Sequence, residues 1–145
     1  MPTQANDEAD IRRRIDKAVE AIRAMDLEAL MPIYAADIVS FDIEPPLQHL
    51  GAEAKRKNWT KVFTMYQRPL GYEVHDLAIT GGTDVAFVRT LARLSGKLNS
   101  GQKAGYWVRW TTGWRQIEGD WRIVHDQISV PVDFETGKAL LNLEP

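Results

Sequence analysis

The sequence predicts an α+β fold: three N-terminal helices packed on one face of a curved, mostly antiparallel sheet. Two observations carry this. Up to Tyr66 the apolar residues recur at spacings of three and four, the period of a helix face. From Tyr72 onward they come in long alternating runs rich in aromatic and β-branched residues, separated by Gly- and Asp-containing turns, which is the signature of strands joined as close neighbours.

In order along the chain, Ile11, Ile15, Ala18, Val19, Ile22 and Met25 form one apolar stripe, so a first helix is expected there. Asn6 or Asp7 is the expected acceptor for the free amides at its start. A short second helix, "LEALMPIY", follows Asp26, with Pro32 as a point of interruption. "IVSFDIEPP" reads as a strand stopped by Pro45 and Pro46, neither of which can donate to a ladder. Gly51 to Tyr66 is helical again, with Trp59, Val62, Phe63 and Tyr66 on one face. Four strands follow: "YEVHDLAIT", ending at Gly81-Gly82; "DVAFVRTLARL", ending at Gly96; "AGYWVRWTTGWRQI"; and "WRIVHDQISV", closed by Pro131. With no internal repeat, linker or low-complexity tract, residues 1–145 are expected to form a single domain.

Composition narrows the function classes. A net charge of −2, from 18 basic and 20 acidic side chains, argues against a nucleic-acid binder, which needs a basic stripe to neutralise phosphates. The run Arg12-Arg13-Arg14 is interleaved with Asp10, Asp16 and Glu20 and reads as a solvated helix face. The absence of cysteine removes disulfides, thiolate zinc sites and cysteine nucleophiles. His49, His75 and His125 form no HxH or HxxxH pair, so no metal site is expected. The start "MPTQANDEADIRRR" has no apolar core of a secretory signal, and no apolar run reaches the ~20 residues of a membrane span. A cytoplasmic protein without a membrane partner is the expectation.

In "YWVRWTTGW" both strand faces carry large side chains, whereas a sheet with one wet face would alternate apolar and polar. Helices can cover only one face. A second copy of the chain is the expected cover for the other, as a homodimer.

Three segments, "AMDLEALMPIYAADIVSFD", "GAEAKRKNWTKVF" and "EGDWRIVHDQISVPVDFETGKALLNLEP", resemble the SnoaL-like, ketosteroid isomerase-like branch of the nuclear transport factor 2-like superfamily. The Gly-x-Trp-x-Ile-Val-His core with its Ser-x-Pro ending is the most specific of these. The resemblance implies a cone-shaped fold whose helices and concave sheet face enclose a pocket, and whose convex face makes the dimer. It implies Asp42 as the position of the isomerase base and Trp59 as an aromatic residue reaching the pocket. The isomerase's oxyanion donors fall near Ala18 and Thr112, which supply neither a phenol nor a carboxylic acid. Steroid isomerisation is therefore not expected, because oxyanion stabilisation is a large share of such catalysis.

The candidate catalytic residues are Asp42 and Asp126. Asp42 alternates with Ser40 and Glu44 against Val39, Phe41 and Ile43. It reads either as a solvated strand-end carboxylate or as a pocket base whose pKa burial raises. Asp126 shares strand parity with Arg122, Val124 and Ile128; the resemblance turns it toward the pocket and His125 toward the partner subunit. The alternative for Asp126 is an ion pair with an arginine of a neighbouring strand. The candidate binding residues are Trp59, Arg89, Trp110 and Thr112. Arg89, with Arg93 on the same face, would pair with a substrate carboxylate or with Asp126, or else would lie past the sheet edge. Trp110 would serve the core or stack on a ligand. The function expected is binding of a small apolar or carboxylate-bearing molecule, with proton-transfer chemistry of the isomerase, cyclase, dehydratase or hydrolase type and no cofactor. The alternative is a non-catalytic homodimeric association or ligand-binding module resembling the kinase association domain.

Overall fold

The computed structural model describes residues 4–145. Helix α1 spans Gln4–Arg23, and its stripe is buried: Ile11, Ile15, Ala18, Val19 and Ile22 are all at most 6% exposed. Arg12 and Arg13 lie on its exposed side, and Arg14 pairs with Asp120 at 3.0 Å. The helix starts at least two residues before Asn6, so neither Asn6 nor Asp7 is its cap, and the capping position lies outside the described residues. Asp7 is instead buried and accepts from Trp121 Nε1 and Gln116 Nε2, both at 3.2 Å, tying α1 to the sheet.

Met25 turns out of α1 in the left-handed region (φ 52°). Asp26 then caps α2 (Leu27–Leu30) by accepting the Ala29 amide at 3.1 Å. Pro32 falls in a 3-10 turn, Met31–Ile33, near whose start a missing N–H costs no helical bond. Strand β1 is Tyr34–Phe41, four residues earlier in onset than the alternation alone predicts. A two-residue strand β2 (His49–Leu50) pairs back on it. Helix α3 spans Ala52–Met65. The long strands are β3 (Gly71–Gly81), β4 (Val85–Lys97), β5 (Lys103–Ile117) and β6 (Asp120–Ser129). A small hairpin, β7 (Val132–Asp133) with β8 (Lys138–Ala139), follows β6.

The main sheet has the order β2-β1-β6-β5-β4-β3. β3 to β6 form the expected antiparallel meander, and β1 joins β6 in parallel. The helices lie on one face only. On that inner face Ala86, Val88, Ala92, Trp110, Trp114, Trp121 and Ile123 are buried with the α1 stripe in one core. The opposite face keeps Phe87 49% and Phe41 40% exposed. Among the described residues no helix is long and apolar enough to cross a membrane.

One irregularity positions the site. The β5–β6 register shifts between Gly113, opposite His125, and Trp114, opposite Ile123. The extra residue changes the face on which later side chains fall. Asp126 therefore shares the buried side with Trp121 and Ile123, not the side of Arg122 and Val124 as strict alternation would have it.

Candidate functional site

The register brings β1 and β6 together at Ser40, whose Cα partner is Asp126. Both side chains are fully buried, and the Ser40 hydroxyl donates to Asp126 Oδ1. Two residues on, Asp42 leaves the end of β1 toward the surface, its side chain 21% exposed.

Between these carboxylates stands Lys55 of α3, 2% exposed. Its ammonium lies 3.1 Å from Asp126 Oδ2, 3.3 Å from Asp42 Oδ2 and 3.3 Å from Ser40 Oγ, with the Tyr34 ring centroid 5.4 Å away. Asp126 Oδ2 is fully buried and faces the ammonium as an ion pair. Asn58 Nδ2 donates to Asp42 Oδ2 at 3.1 Å, and the Ile43 amide donates to Oδ1 at 2.8 Å. His49 Nε2 donates to the Glu44 carbonyl at 3.1 Å, which leaves Nδ1 facing Asn58 at 3.5 Å.

The electrostatics follow from this packing. Burial alone would raise the Asp42 pKa. The Lys55 charge, the Ile43 amide and the Asn58 amide outweigh it, and Asp42 is held below the usual carboxylate value. Of the two readings of Asp42, this corrects the pocket base with a raised pKa: a cation and two amide donors stand beside the carboxylate. Burial would likewise lower Lys55, yet Tyr34, Asp126 and Asp42 together hold it above the usual lysine value. Lys55 is thus a permanent cation at neutral pH, suited to stabilising negative charge and not to acting as a neutral amine. Tyr34 is pushed up to about 12, chiefly by burial and against the pull of Lys55.

Trp59, one turn after Lys55, donates from Nε1 to Tyr34 Oη at 2.8 Å. Its ring belongs to a chain of aromatic contacts with Phe63 (centroids 5.6 Å), Tyr72 (6.3 Å) and, through Tyr72, Trp110 (6.4 Å). Trp110 is 6% exposed and sits in the core. Thr112 lies opposite Asp126 on the buried side, and its hydroxyl accepts from Trp114 Nε1 at 2.6 Å. Ala18 is buried in the α1 stripe.

Arg89 is not brought into this group. On β4 the inner positions are Ala86, Val88, Thr90, Ala92 and Leu94, so Arg89 points to the outer face and is exposed. The pairing of Arg89 with Asp126 is therefore replaced by that of Lys55 with Asp126. His125 lies on the outer face, donating from Nδ1 to the Val39 carbonyl at 2.6 Å with its ring 4.7 Å from Phe41.

Lys55 is the residue that the sequence reading missed. It follows Ala52 by three and precedes Trp59 by four, so it shares the half-buried apolar stripe of α3 and is itself the one fully buried side chain of that helix. That placement is the available signal. Ser40 is likewise legible through its parity with Asp42.

A family model described as a SnoaL-like domain matches residues 11–133. No curated protein matches the chain. Among solved structures, an NTF2-like protein of unknown function from Pseudomonas putida KT2440 is 31% identical over 98% of this chain and 99% of its own, with a TM-score of 0.88. A protein from Novosphingobium aromaticivorans DSM 12444, proposed to be a scytalone dehydratase, shares the fold at 14% identity, covering 85% of this chain and 83% of that one, TM-score 0.76. Another, from Xanthomonas campestris and proposed to be a calcium/calmodulin-dependent protein kinase II association domain, shares it at 15% identity, covering 97% and 91%, TM-score 0.73.

Proposed function

The chain belongs to the SnoaL-like domain family and has the nuclear transport factor 2-like fold, and on that footing we propose that it binds a small, largely apolar molecule and moves a proton on it, with Asp42 as base. The observation that supports this reading is Lys55, buried within 3.3 Å of two carboxylates. Burying Lys55 with Asp126 takes an ion pair out of water, which is expensive, and apolar side chains of similar volume in their place are often neutral or stabilising. Perturbed charges held together in this way are what acid/base sites require.

The roles divide by exposure. Asp42 is the outer member, anionic at neutral pH and reachable from solvent. It would take a proton from a carbon next to a carbonyl: the C–H bond breaks, its electron pair moves toward the carbonyl oxygen, and the proton rests on Asp42 until it returns to a second carbon or leaves with a hydroxyl. Lys55, with its charge fixed, would favour the negative charge that develops. It supplies the electrophilic half that Ala18 and Thr112 cannot. An ion-paired carboxylate is a weak base, so the substrate hydrogen has to be acidic already, as between two carbonyls or next to a conjugated one. Trp59 and the aromatic residues behind it form the apolar wall. Asp126, without solvent access, holds Lys55 in place through Oδ2 and Ser40 through Oδ1.

A second reading is a homodimeric association module. The exposed Phe41, Val85 and Phe87 on the outer sheet face favour it, as does the fold shared with the Xanthomonas protein. The test is solvent-exchange NMR. A panel of β-dicarbonyl and conjugated enone compounds is incubated in D2O with the protein and with Asp42→Asn. Loss of α-proton signal catalysed by the native chain and abolished in Asp42→Asn supports the acid/base reading. No exchange above the buffer rate across the panel, with unchanged ligand binding in Asp42→Asn, leaves the association module.

A further inference from the structure

Asp126, Thr112 and Val88 stand side by side across β6, β5 and β4. Five residues beyond Val88, at Arg93, begins a cavity of about 660 Å³ that shares no residue with the Asp42–Lys55 group. It lies where β4 ends and β5 begins, beside the chain that follows α3. Four of its lining side chains are cationic: Arg68, Arg93, Lys97 and Lys103. No carboxylate lines it, in a chain whose net charge is −2.

These cations are held against one another. Lys97 and Lys103 are direct cross-strand partners. Like charges at that spacing destabilise a strand pair, and neither lysine makes an ion pair among the described residues. Arg93 has Glu73 at 4.0 Å, at the limit of an ion pair, and both are substantially exposed. Arg68 is aimed by a hydrogen bond from Nη1 to the Ala24 carbonyl at 2.6 Å.

The backbone makes room for this. A Cβ on Gly105 would stand 2.9 Å from Arg93 Nη2 and 3.3 Å from Cζ, so the guanidinium lies across a position kept bare of a side chain. A planar fork of donors over an uncovered backbone, with two ammonium groups beside it, matches an acceptor bearing several oxygens and more than one negative charge.

We infer that this groove binds a small multivalent oxyanion, a phosphate ester or a polycarboxylate, through Arg93, Lys97, Lys103 and Arg68. The volume is within the range that encloses a whole small molecule. The inference stands apart from the Asp42 chemistry and survives or fails without it.

The probe is pyrophosphate, with citrate and orthophosphate as comparators, titrated calorimetrically into the full chain at ~0.15 M salt, where loose surface attraction is screened. Saturable one-to-one binding of pyrophosphate is expected, weakened roughly tenfold or more in Lys97→Gln/Lys103→Gln and in Arg93→Gln, since a lost charge-assisted contact is of that order. Citrate binding as tightly as pyrophosphate would identify a polycarboxylate ligand, and citrate binding more weakly a phosphate one; either supports the groove. Lys103→Glu guards against misfolding. It turns the repelling cross-strand pair into an attracting one, so it should melt no lower than the native chain while losing pyrophosphate. Absence of saturable heat to ~10 mM, or equal affinity in the charge variants, overturns the inference; that ceiling already corresponds to binding weaker than ~2.7 kcal/mol.

Discussion

The ammonium of Lys55 stands 3.1 Å from Oδ2 of Asp126, and neither side chain is more than 2% exposed. The pair joins α3 to β6 across the inner face of the sheet. Asp42, the third charge, stands at the open end and shares the same ammonium. One cation thus serves two carboxyl groups of different exposure, and solvent reaches this group through Asp42.

Removing Lys55 should therefore be costly. Lys55→Met leaves Asp126 buried without its counter-ion, and the expected loss is about 3–5 kcal/mol in urea unfolding. Lys55→Met combined with Asp126→Leu removes both buried charges and should recover most of that loss, because apolar groups replace ions that had been taken from water. A Lys55→Met chain as stable as the native one would mean that the ion pair does not form.

Acid stability should depend on Asp42. Its pKa is lower folded than unfolded, so its contribution is present above the unfolded value of ~3.9 and is lost as pH falls through the folded one. Urea midpoints measured between pH 2 and 6 should fall with acid in the native chain and fall less in Asp42→Asn. Above pH 5, Asp42→Asn should be the less stable of the two, the opposite of what a strained, pKa-raised carboxylate would give. Carboxylate NMR with Asp42 titrating above ~4 would contradict the ion pair with Lys55.

Why this pair escaped the sequence is instructive. The stripes of α1 and α3 and the meander of β3 to β6 are periodic, and periodicity in sequence survives into packing; Ile11 to Ile22 and Val88 to Leu94 show it. Lys55 breaks the rule that lysines on a helix face water. Only its place between Ala52 and Trp59 marks it as buried. Asp126 is displaced by a bulge that strict alternation cannot foresee, although its inward direction was legible from the resemblance. Arg89 failed for a simpler reason. Alternation told which residues share its face but not which face the helices cover, and the small residues Ala86 and Ala92, both buried in the core, were the clue.

All four tyrosines should ionise late. Burial raises Tyr34 and Tyr106 to about 12, and raises Tyr66 and Tyr72 as well. A group raised on folding stabilises below its unfolded pKa and loses that contribution as pH climbs through the folded one. Absorbance titration of the native chain should show Tyr34 and Tyr106 ionising near pH 12, with the stability they contribute lost as pH climbs from the unfolded value of ~10 through that point. In guanidinium the same residues should titrate near 10. An ordinary tyrosine midpoint in the folded chain would place at least one of these rings in water.

The outer sheet face should carry a homodimer. Phe41, Val85 and Phe87 are 40%, 54% and 49% exposed there, beside the edge contact of Phe41 with His125, and apolar side chains grouped on one sheet face mark a contact surface. Light scattering at micromolar concentration should give twice the monomer mass. Phe87→Glu and His125→Asp each bring like charges toward the two-fold and should shift the mass toward the monomer, by about 2–4 kcal/mol of association free energy. The paired variant Asp42→Asn/Asp126→Asn alters only the inner group and should remain dimeric. A native chain that scatters as a monomer would leave the outer aromatics without a partner. A dimer lost in the inner variant but kept in Phe87→Glu would instead move the interface to the helical side, where α3 and the Asp42 loop would have to form it.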